Sequence, residues 1–307
     1  MNVVGIDTSN YTTSIAWYDG TTGVNCSKLL PVKVGELGLR QSDAVFAHTK
    51  SLPELSGRLF SDIRAESIGA IGVSTRPRAV EGSYMPCFMV GYSHAKLLSD
   101  MLGVPLIEVS HQQGHVAASL WSAGRMELMD RPHLAWHLSG GTTELLLVEP
   151  DGRNVVCTKL GGTTDISAGQ LIDRTGQLLG LPFPSGKHLD RLSTQAEQNE
   201  MFRVKCDGCC FSLSGVQNKV QQFHEKHAAP AETAAYALRC VAGAVYRATE
   251  QALAQYPRLP VVFSGGVASN SMLRQIMEPL NPIFVQPQYS TDNAMGVAVL
   301  AHRISEG

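Results

Sequence analysis

MNVVGIDTSNYTTSIAWYDG, residues 1–20, decides the architecture. Asn2 to Asp7 is an apolar run, Thr8-Ser9-Asn10-Tyr11 has turn composition, and Thr12 to Tyr18 is rich in β-branched and aromatic residues. Asp19-Gly20 then closes a β-hairpin. The same plan returns further along the chain. Leu134 to Leu138 is apolar, Ser139-Gly140-Gly141-Thr142-Thr143 is a turn, Glu144 to Val148 is a strand, and Asp151-Gly152 closes it. Two hairpins of one design, each opening half of the chain, indicate an internal duplication.

Between and after the hairpins, strands alternate with helices. Helical spacing covers Leu52 to Ile63, Phe88 to Leu102, Ile166 to Leu179, Ala231 to Gln255 and Asn293 to Ile304. Asp165 is expected to cap the third of these, with Gly180 just past its end. Strands are expected at Ile68 to Ser74, Val104 to Val109, Val261 to Ser264 and Ile283 to Val285. This alternation predicts largely parallel sheets in a two-lobed α/β protein with a ligand cleft between duplicated lobes. The lobes are expected to be 1–131 and 132–307, dividing near Asp130-Arg131-Pro132, with the last helix packing back on the first lobe.

Composition narrows the function classes. The 307 residues are 44% hydrophobic and 17% charged, enough for two ordinary cores. The net charge of −2 gives no general affinity for nucleic acid or acidic membranes, although it leaves room for a local patch. No apolar run approaches the roughly 20 residues of a membrane helix. The N-terminus lacks the pattern of a signal peptide, so a cytoplasmic location is expected. Seven scattered cysteines argue against a disulfide framework. The one cluster, Cys206-x-x-Cys209-Cys210, reads either as a metal or redox motif or as a reduced strand and turn.

Three small-residue loops follow strands: Asp7-Thr8-Ser9-Asn10, Ser139 to Thr143, and Ser264-Gly265-Gly266-Val267-Ala268-Ser269-Asn270. Glycines let backbone N–H groups close on an anion, and a helix starting near Asn270 adds its positive end. A Gly-Gly turn alone is commonly just a turn. Three loops at the C-terminal ends of strands are where open α/β sheets bind ligands. Gly169 and Asp173 share a helical face, so Asp173 is either a ribose acceptor or a solvated carboxylate. Gly180 to His188 imitates a Walker loop, but the spacing is one residue too long and His188 stands where Ser or Thr is required.

A second signal is Ser110-His111-Gln112-Gln113-Gly114-His115. Ser110 and Gln113 form a capping box, which sets His111 and His115 on one face of the first turns of a helix. Both imidazoles can then reach one ion at ~2.0–2.1 Å, although the same spacing occurs in ordinary helices. Asp292 is the best candidate for a third ligand. Gln112 cannot take a proton, which excludes the HExxH protease chemistry.

These loops, in this order, resemble the TsaD family, formerly Gcp or O-sialoglycoprotein endopeptidase, of the actin and sugar-kinase superfamily. The resemblance rests on Gly5-Ile6-Asp7-Thr8-Ser9, His111 to Ala117, Leu138 to Thr143, Ala168-Gly169 with Asp173-Arg174-Thr175, Pro184-Ser185-Gly186, Phe211 to Gly215, Gly265 to Asn270 and Thr291 to Ala294. It implies an actin-like ATPase fold. It also implies transfer of a threonylcarbamoyl group from threonylcarbamoyl-AMP to the N6 amine of a tRNA adenosine. Iron or zinc would be held at His111, His115 and Asp292. The adenine nucleotide would lie against His137, Leu138, Ser139, Gly140, Gly141, Asp173, Gly186 and Asn270. Partners implied are tRNA and a related protein subunit or second copy, with no membrane.

The departures begin in the first loop. The family's usual Glu-Thr-Ser-Cys-Asp-Glu is here Asp7-Thr8-Ser9-Asn10-Tyr11-Thr12, so Asp7 is the candidate catalytic acid that remains. Its Asp-Asp-Ala-Ala-Gly-Glu is Asp165 to Gln170, and Arg76-Pro77-Arg78 falls in a stretch usually rich in glycine. A divergent paralogue fits this pattern. The alternatives are a non-catalytic nucleotide-binding scaffold or regulator and, less well supported, a small-molecule kinase or carbamoyltransferase.

Overall fold

The computed structural model describes all residues except Asn10, 31–38, Asp62, 64–66, Ala228, 287–288, 290–292 and Gly307. The chain falls into two compact units. The first is Met1–Arg131 with Glu149–Cys157 and Gln288–Gly307; the second is Pro132–Val148 with Thr158–Pro287.

The first unit is built on five strands: β1 (Asn2–Ser9), β2 (Thr12–Tyr18), β3 (Gly23–Leu29), β4 (Ile68–Arg76) and β5 (Leu106–Ser110), in the order β3-β2-β1-β4-β5. β1 to β3 form an antiparallel meander, whereas β4 and β5 add in parallel beside β1. β1 is apolar on both faces because both are covered. Val4 and Ile6 pack with Leu52, Leu55 and Leu59 of α1 (Gln41–Leu59) and with Ala95 of α2 (Phe88–Leu102). Val3 joins Ala301 of α9 (Met295–Ser305). Each such side chain contributes about 1.5–3 kcal/mol by leaving water. The remaining helix, α3 (His111–Ser122), packs against α9.

The second unit repeats the plan. β6 (His133–Leu138), β7 (Thr143–Asp151), β8 (Asn154–Thr163), β11 (Val261–Ser264) and β12 (Ile283–Phe284) run in the order β12-β11-β6-β7-β8. β6 pairs antiparallel with β7 and parallel with β11. Beyond β8 the sheet is extended by β10 (Cys210–Phe211) and β9 (Cys206–Asp207). The shared order carries the duplication that the two hairpins announce. The core forms where Leu134, Trp136 and Leu138 of β6 meet Ala237, Val241, Ala244, Val245 and Ala248 of α7 (Pro230–Gln255). Small residues on α7 let it lie close to the sheet, and the buried Trp136 Nε1 donates to Thr249 Oγ1 at 2.9 Å. The unit also contains α4 (Ala168–Leu178), α5 (Gly186–Ser193), α6 (Ser214–His227) and α8 (Ser271–Met277).

The sheets are mixed, where largely parallel ones were expected, because each half opens on an antiparallel hairpin. Two further sequence expectations are corrected. α1 begins at Gln41, eleven residues before the expected start, and runs through Pro53. A proline has no N–H and crowds the preceding turn; burial of Ala44, His48 and Leu52 outweighs that cost. Second, α4 is capped by Ser167, not Asp165. Ser167 accepts from Gln170 N, and the Gln170 side chain accepts from Ser167 N. Asp165 instead accepts from the hydroxyls of Ser212 and Ser214 and from the amides of Leu213 and Ser214. Burial acts to raise the Asp165 carboxyl, but these hydrogen bonds override it and hold the group well below the usual carboxylate range.

Candidate functional site

In the first unit, β1 and β4 run in parallel and deliver Asp7 and Ser74 to one place. Both side chains are fully buried. Ser74 Oγ donates to Asp7 Oδ1. β5 ends at Ser110, which begins α3 through the expected capping box: Ser110 Oγ accepts from Gln113 N at 3.2 Å, and Gln113 Oε1 accepts from Ser110 N at 2.8 Å. That box fixes the first turn of α3 and with it His111. The His111 Nδ1 atom lies 3.0 Å from Asp7 Oδ1. His115, one turn on, places its Nε2 2.9 Å from Nε2 of His111, with the ring planes at 79°. Two nitrogens that each sit ~2.0–2.1 Å from one ion stand at most about 4.2 Å apart, so this pair fits a shared cation. Asp292 lies outside the described residues. Among the described residues no group of three His, Cys, Asp or Glu side chains has the arrangement of a metal site.

The end of β1 is braced from within the unit. Thr8 Oγ1 donates to Cys87 O at 2.9 Å and accepts from Gly91 N at 3.0 Å, which ties it to the start of α2. Burial, and then the Asp7 charge, push the Cys87 thiol up to about 11, so it stays protonated. His48 on α1 is fully buried, with Nδ1 2.8 Å from Thr13 Oγ1. Burial lowers its pKa from the ordinary 6.5, and the Asp7 charge and a backbone hydrogen bond at Ser9 only partly offset this. The unfolded chain therefore takes up this proton first. Stability is expected to fall as the pH drops below about 6.5 toward the folded value. Urea midpoints at several pH values should show this slope and show less of it in His48→Gln; equal slopes in the two proteins would refute the assignment.

In the second unit, Ser139 to Thr143 turns from β6 into β7. Ser139 N donates to Thr142 O at 2.8 Å, and Ser139 Oγ accepts from Thr142 N at 3.0 Å. The loop is fused to the start of α4: Ser167 Oγ donates to Gly140 O at 2.5 Å and Ala168 N donates to Thr143 Oγ1 at 2.8 Å. Gly169 makes this possible, since a Cβ there would stand 2.5 Å from Gly140 Cα and 2.6 Å from Ser139 O. Gly140 and Gly141 themselves remain exposed. His137 precedes this loop and lies beside Ser264 in the β6–β11 register, its Nδ1 3.4 Å from Ser264 Oγ.

Asp173 Oδ1 accepts from Ser185 N at 2.8 Å, which joins Asp173 to the start of α5 at Gly186. Asn270 caps α8 through Leu273 N at 2.9 Å, and its Nδ2 donates to Asp190 at 2.8 Å. Asp190 also accepts from Ser271 Oγ at 2.7 Å. The predicted residues of this unit thus form three groups: His137–Gly141 at the end of β6 against α4, Asp173 of α4 with Gly186 at the start of α5, and Asn270 on Asp190.

Sequence reasoning missed Ser74, Ser167 and Asp190. For Ser167 a signal was present, because Ser167-x-x-Gln170 repeats the spacing of Ser110-x-x-Gln113. Ser74 and Asp190 act through partners 67 and 80 residues distant, which no local pattern encodes.

The cysteine cluster is a turn. Cys209 has φ 63° between β9 and β10, and Gln251 of α7 holds it by accepting from Cys209 N at 2.9 Å and donating to Cys206 O at 3.1 Å. Burial pushes the Cys206 thiol up to about 11, and all seven cysteines are free. No described helix is long and apolar enough to cross a membrane.

Comparison with known proteins agrees with this geometry. A profile described as TsaD, tRNA N6-adenosine threonylcarbamoyltransferase, matches residues 38–299. A tRNA N6-adenosine threonylcarbamoyltransferase of Carboxydothermus hydrogenoformans is 34% identical over 272 residues, 85% of this chain and 78% of the relative. The protein of the same description from Thermosipho africanus is 30% identical over 322 residues, covering 99% of this chain and 94% of its own length. Among solved structures, the ROK hexokinase of Thermus thermophilus superposes with a TM-score of 0.57 at 15% identity, covering 100% of both chains. That likeness shows the fold, which is the actin-like fold of the sugar kinases. By sequence, this chain belongs to the TsaD family of tRNA N6-adenosine threonylcarbamoyltransferases.

Proposed function

We propose that this protein transfers the threonylcarbamoyl group of threonylcarbamoyl-AMP to N6 of a tRNA adenosine in a metal-dependent reaction. The observation that carries the reading is the imidazole pair, with the Nε2 atoms of His111 and His115 2.9 Å apart, in a chain matched to the family over residues 38–299. His111 and His115, with Asp292, would hold one divalent ion, iron or zinc; imidazole and carboxylate suit either. When bound, such an ion polarises the carbamoyl carbonyl. Asp7 supplies the buried carboxylate beside the pair. In the second unit, the exposed backbone of Gly140 and Gly141 offers donors to the phosphate of an adenylate. His137, Leu138 and Ser139 shape that loop, Asp173 and Gly186 form a second wall, and Asn270 at the start of α8 a third. The new C–N bond forms as the bond from the carbamoyl carbon to the phosphate oxygen breaks, AMP leaves, and N6 gives up a proton. tRNA is the acceptor, and a related subunit or a second copy is the expected protein partner.

A second reading, a nucleotide-binding paralogue without transfer activity, is favoured by one observation. Tyr11 and Thr12 stand where the family pattern carries two acids, and Thr12 is buried and paired within the meander. Incubating the purified protein with partner subunits, threonylcarbamoyl-AMP and unmodified tRNA, then digesting to nucleosides for mass spectrometry, separates the two. Modified adenosine establishes transfer. Tight adenylate binding with no product, under conditions where an ordinary family member is active, establishes the second reading.

A further inference from the structure

The buried carboxylate at the end of β1 has a narrower task than its chemistry allows. Asp7 is fully buried and its Oδ1 meets Ser74 Oγ and His111 Nδ1. An ionised carboxylate only accepts hydrogen bonds, so at 3.0 Å the His111 Nδ1 atom must carry the proton. The Nε2 atom is then left with the lone pair, and it is this atom that faces Nε2 of His115 at 2.9 Å. Each member of the chain is held by a separate element: Ser74 by β4, Asp7 by β1, His111 by the capped first turn of α3.

We infer that Asp7 is a positioning residue: it fixes the tautomer and orientation of His111 so that Nε2 is presented as a metal ligand, and Ser74 holds Asp7 in turn. The inference rests on the ion-site reading above and deepens it. A ligating histidine commonly gives its other N–H to a carboxylate, which sets the ring and raises its basicity.

The test uses the full-length protein and zinc in competition with a chromophoric chelator. Asp7→Asn keeps the shape and removes the charge; it is expected to weaken zinc affinity ~10- to 100-fold. Ser74→Ala is expected to weaken it less and in the same direction. His111→Ala is the reference for the site itself. Zinc affinity in Asp7→Asn within twofold of wild type, with affinity lost in His111→Ala, overturns the role of Asp7 and leaves the site intact. Equal affinity in all variants overturns the ion site, and the role of Asp7 with it. A second readout needs neither metal nor mutation: long-range nitrogen–proton NMR of the metal-free wild type should show His111 protonated at Nδ1. Protonation at Nε2 overturns the inference.

Discussion

Replacing His111 by alanine is expected to lower affinity for a divalent ion by at least about 10²-fold. The supporting partners of metal-bound histidines are each worth 10- to 100-fold, and a ligand itself costs no less than its support. The substitution also strips Asp7 of its imidazole partner while the carboxylate stays fully buried. A buried group that loses a hydrogen-bond partner costs about 1–3 kcal/mol, so some loss of stability should accompany the loss of metal. His115→Ala separates the two effects, because it leaves Asp7 with both Ser74 and His111. It should lose ion binding to a similar degree with a smaller change in the urea midpoint. Metal titration of both variants decides the matter: retention of wild-type affinity in either one removes the imidazole pair as the ion site.

Gly265→Ala is expected to be the most destabilising single methyl addition in the second unit. Gly265 stands between β11 and the loop that leads to Asn270, with φ 91° and ψ 159°. That region of backbone space is essentially reserved for glycine and costs about 1–3 kcal/mol for other residues. The added Cβ would lie 2.1 Å from the carbonyl oxygen of Leu138 and 2.4 Å from its carbon. Backbone cannot rotate away as a side-chain tip can, so one of the two strands must move, which overpacking data put at roughly another 1–3 kcal/mol. The sum, roughly 2–6 kcal/mol, is a large part of the ~5–15 kcal/mol that holds a typical domain folded. One of those strands, β6, leads into Ser139-Gly140-Gly141, so adenylate affinity should fall together with the denaturation midpoint. A midpoint that moves by less than the equivalent of about 1 kcal/mol would show that the loops are not locked together in this way.

Much of the architecture was legible locally. The hairpin of residues 2–18, the helix Phe88–Leu102 and the strand Val261–Ser264 appear where their patterns place them. Such elements are written in side-chain periodicity over a few residues. The capping box at Ser110 was equally legible, since its reciprocal bonds span three residues. Errors arose where a strong local rule competed with burial. Helical spacing was read only from Leu52, but α1 begins at Gln41 and carries Pro53 inside it, where its buried face supplies the missing stability. Asp165 has ideal capping chemistry, yet Ser167 lies two residues closer to the helix and Asp165 holds the segment before α6. Both outcomes required knowing which residues distant in the chain would be neighbours.

The sequence by itself determined that this is a duplicated α/β chain resembling the TsaD family, that His111 and His115 share a helical face, and that small-residue loops follow the strands, two of them glycine-rich in the second half. The face and the loops follow from spacing within a turn, a strand or a hairpin; the family follows from the resemblance of collinear motifs. Only the tertiary structure decided that Asp7, 104 residues away, stands 3.0 Å from His111 Nδ1, that Ser74 holds Asp7, and that Asp190 holds Asn270. Those pairings depend on which strands lie side by side in parallel. That choice is made by burial over whole sheets, and no short stretch of residues records it.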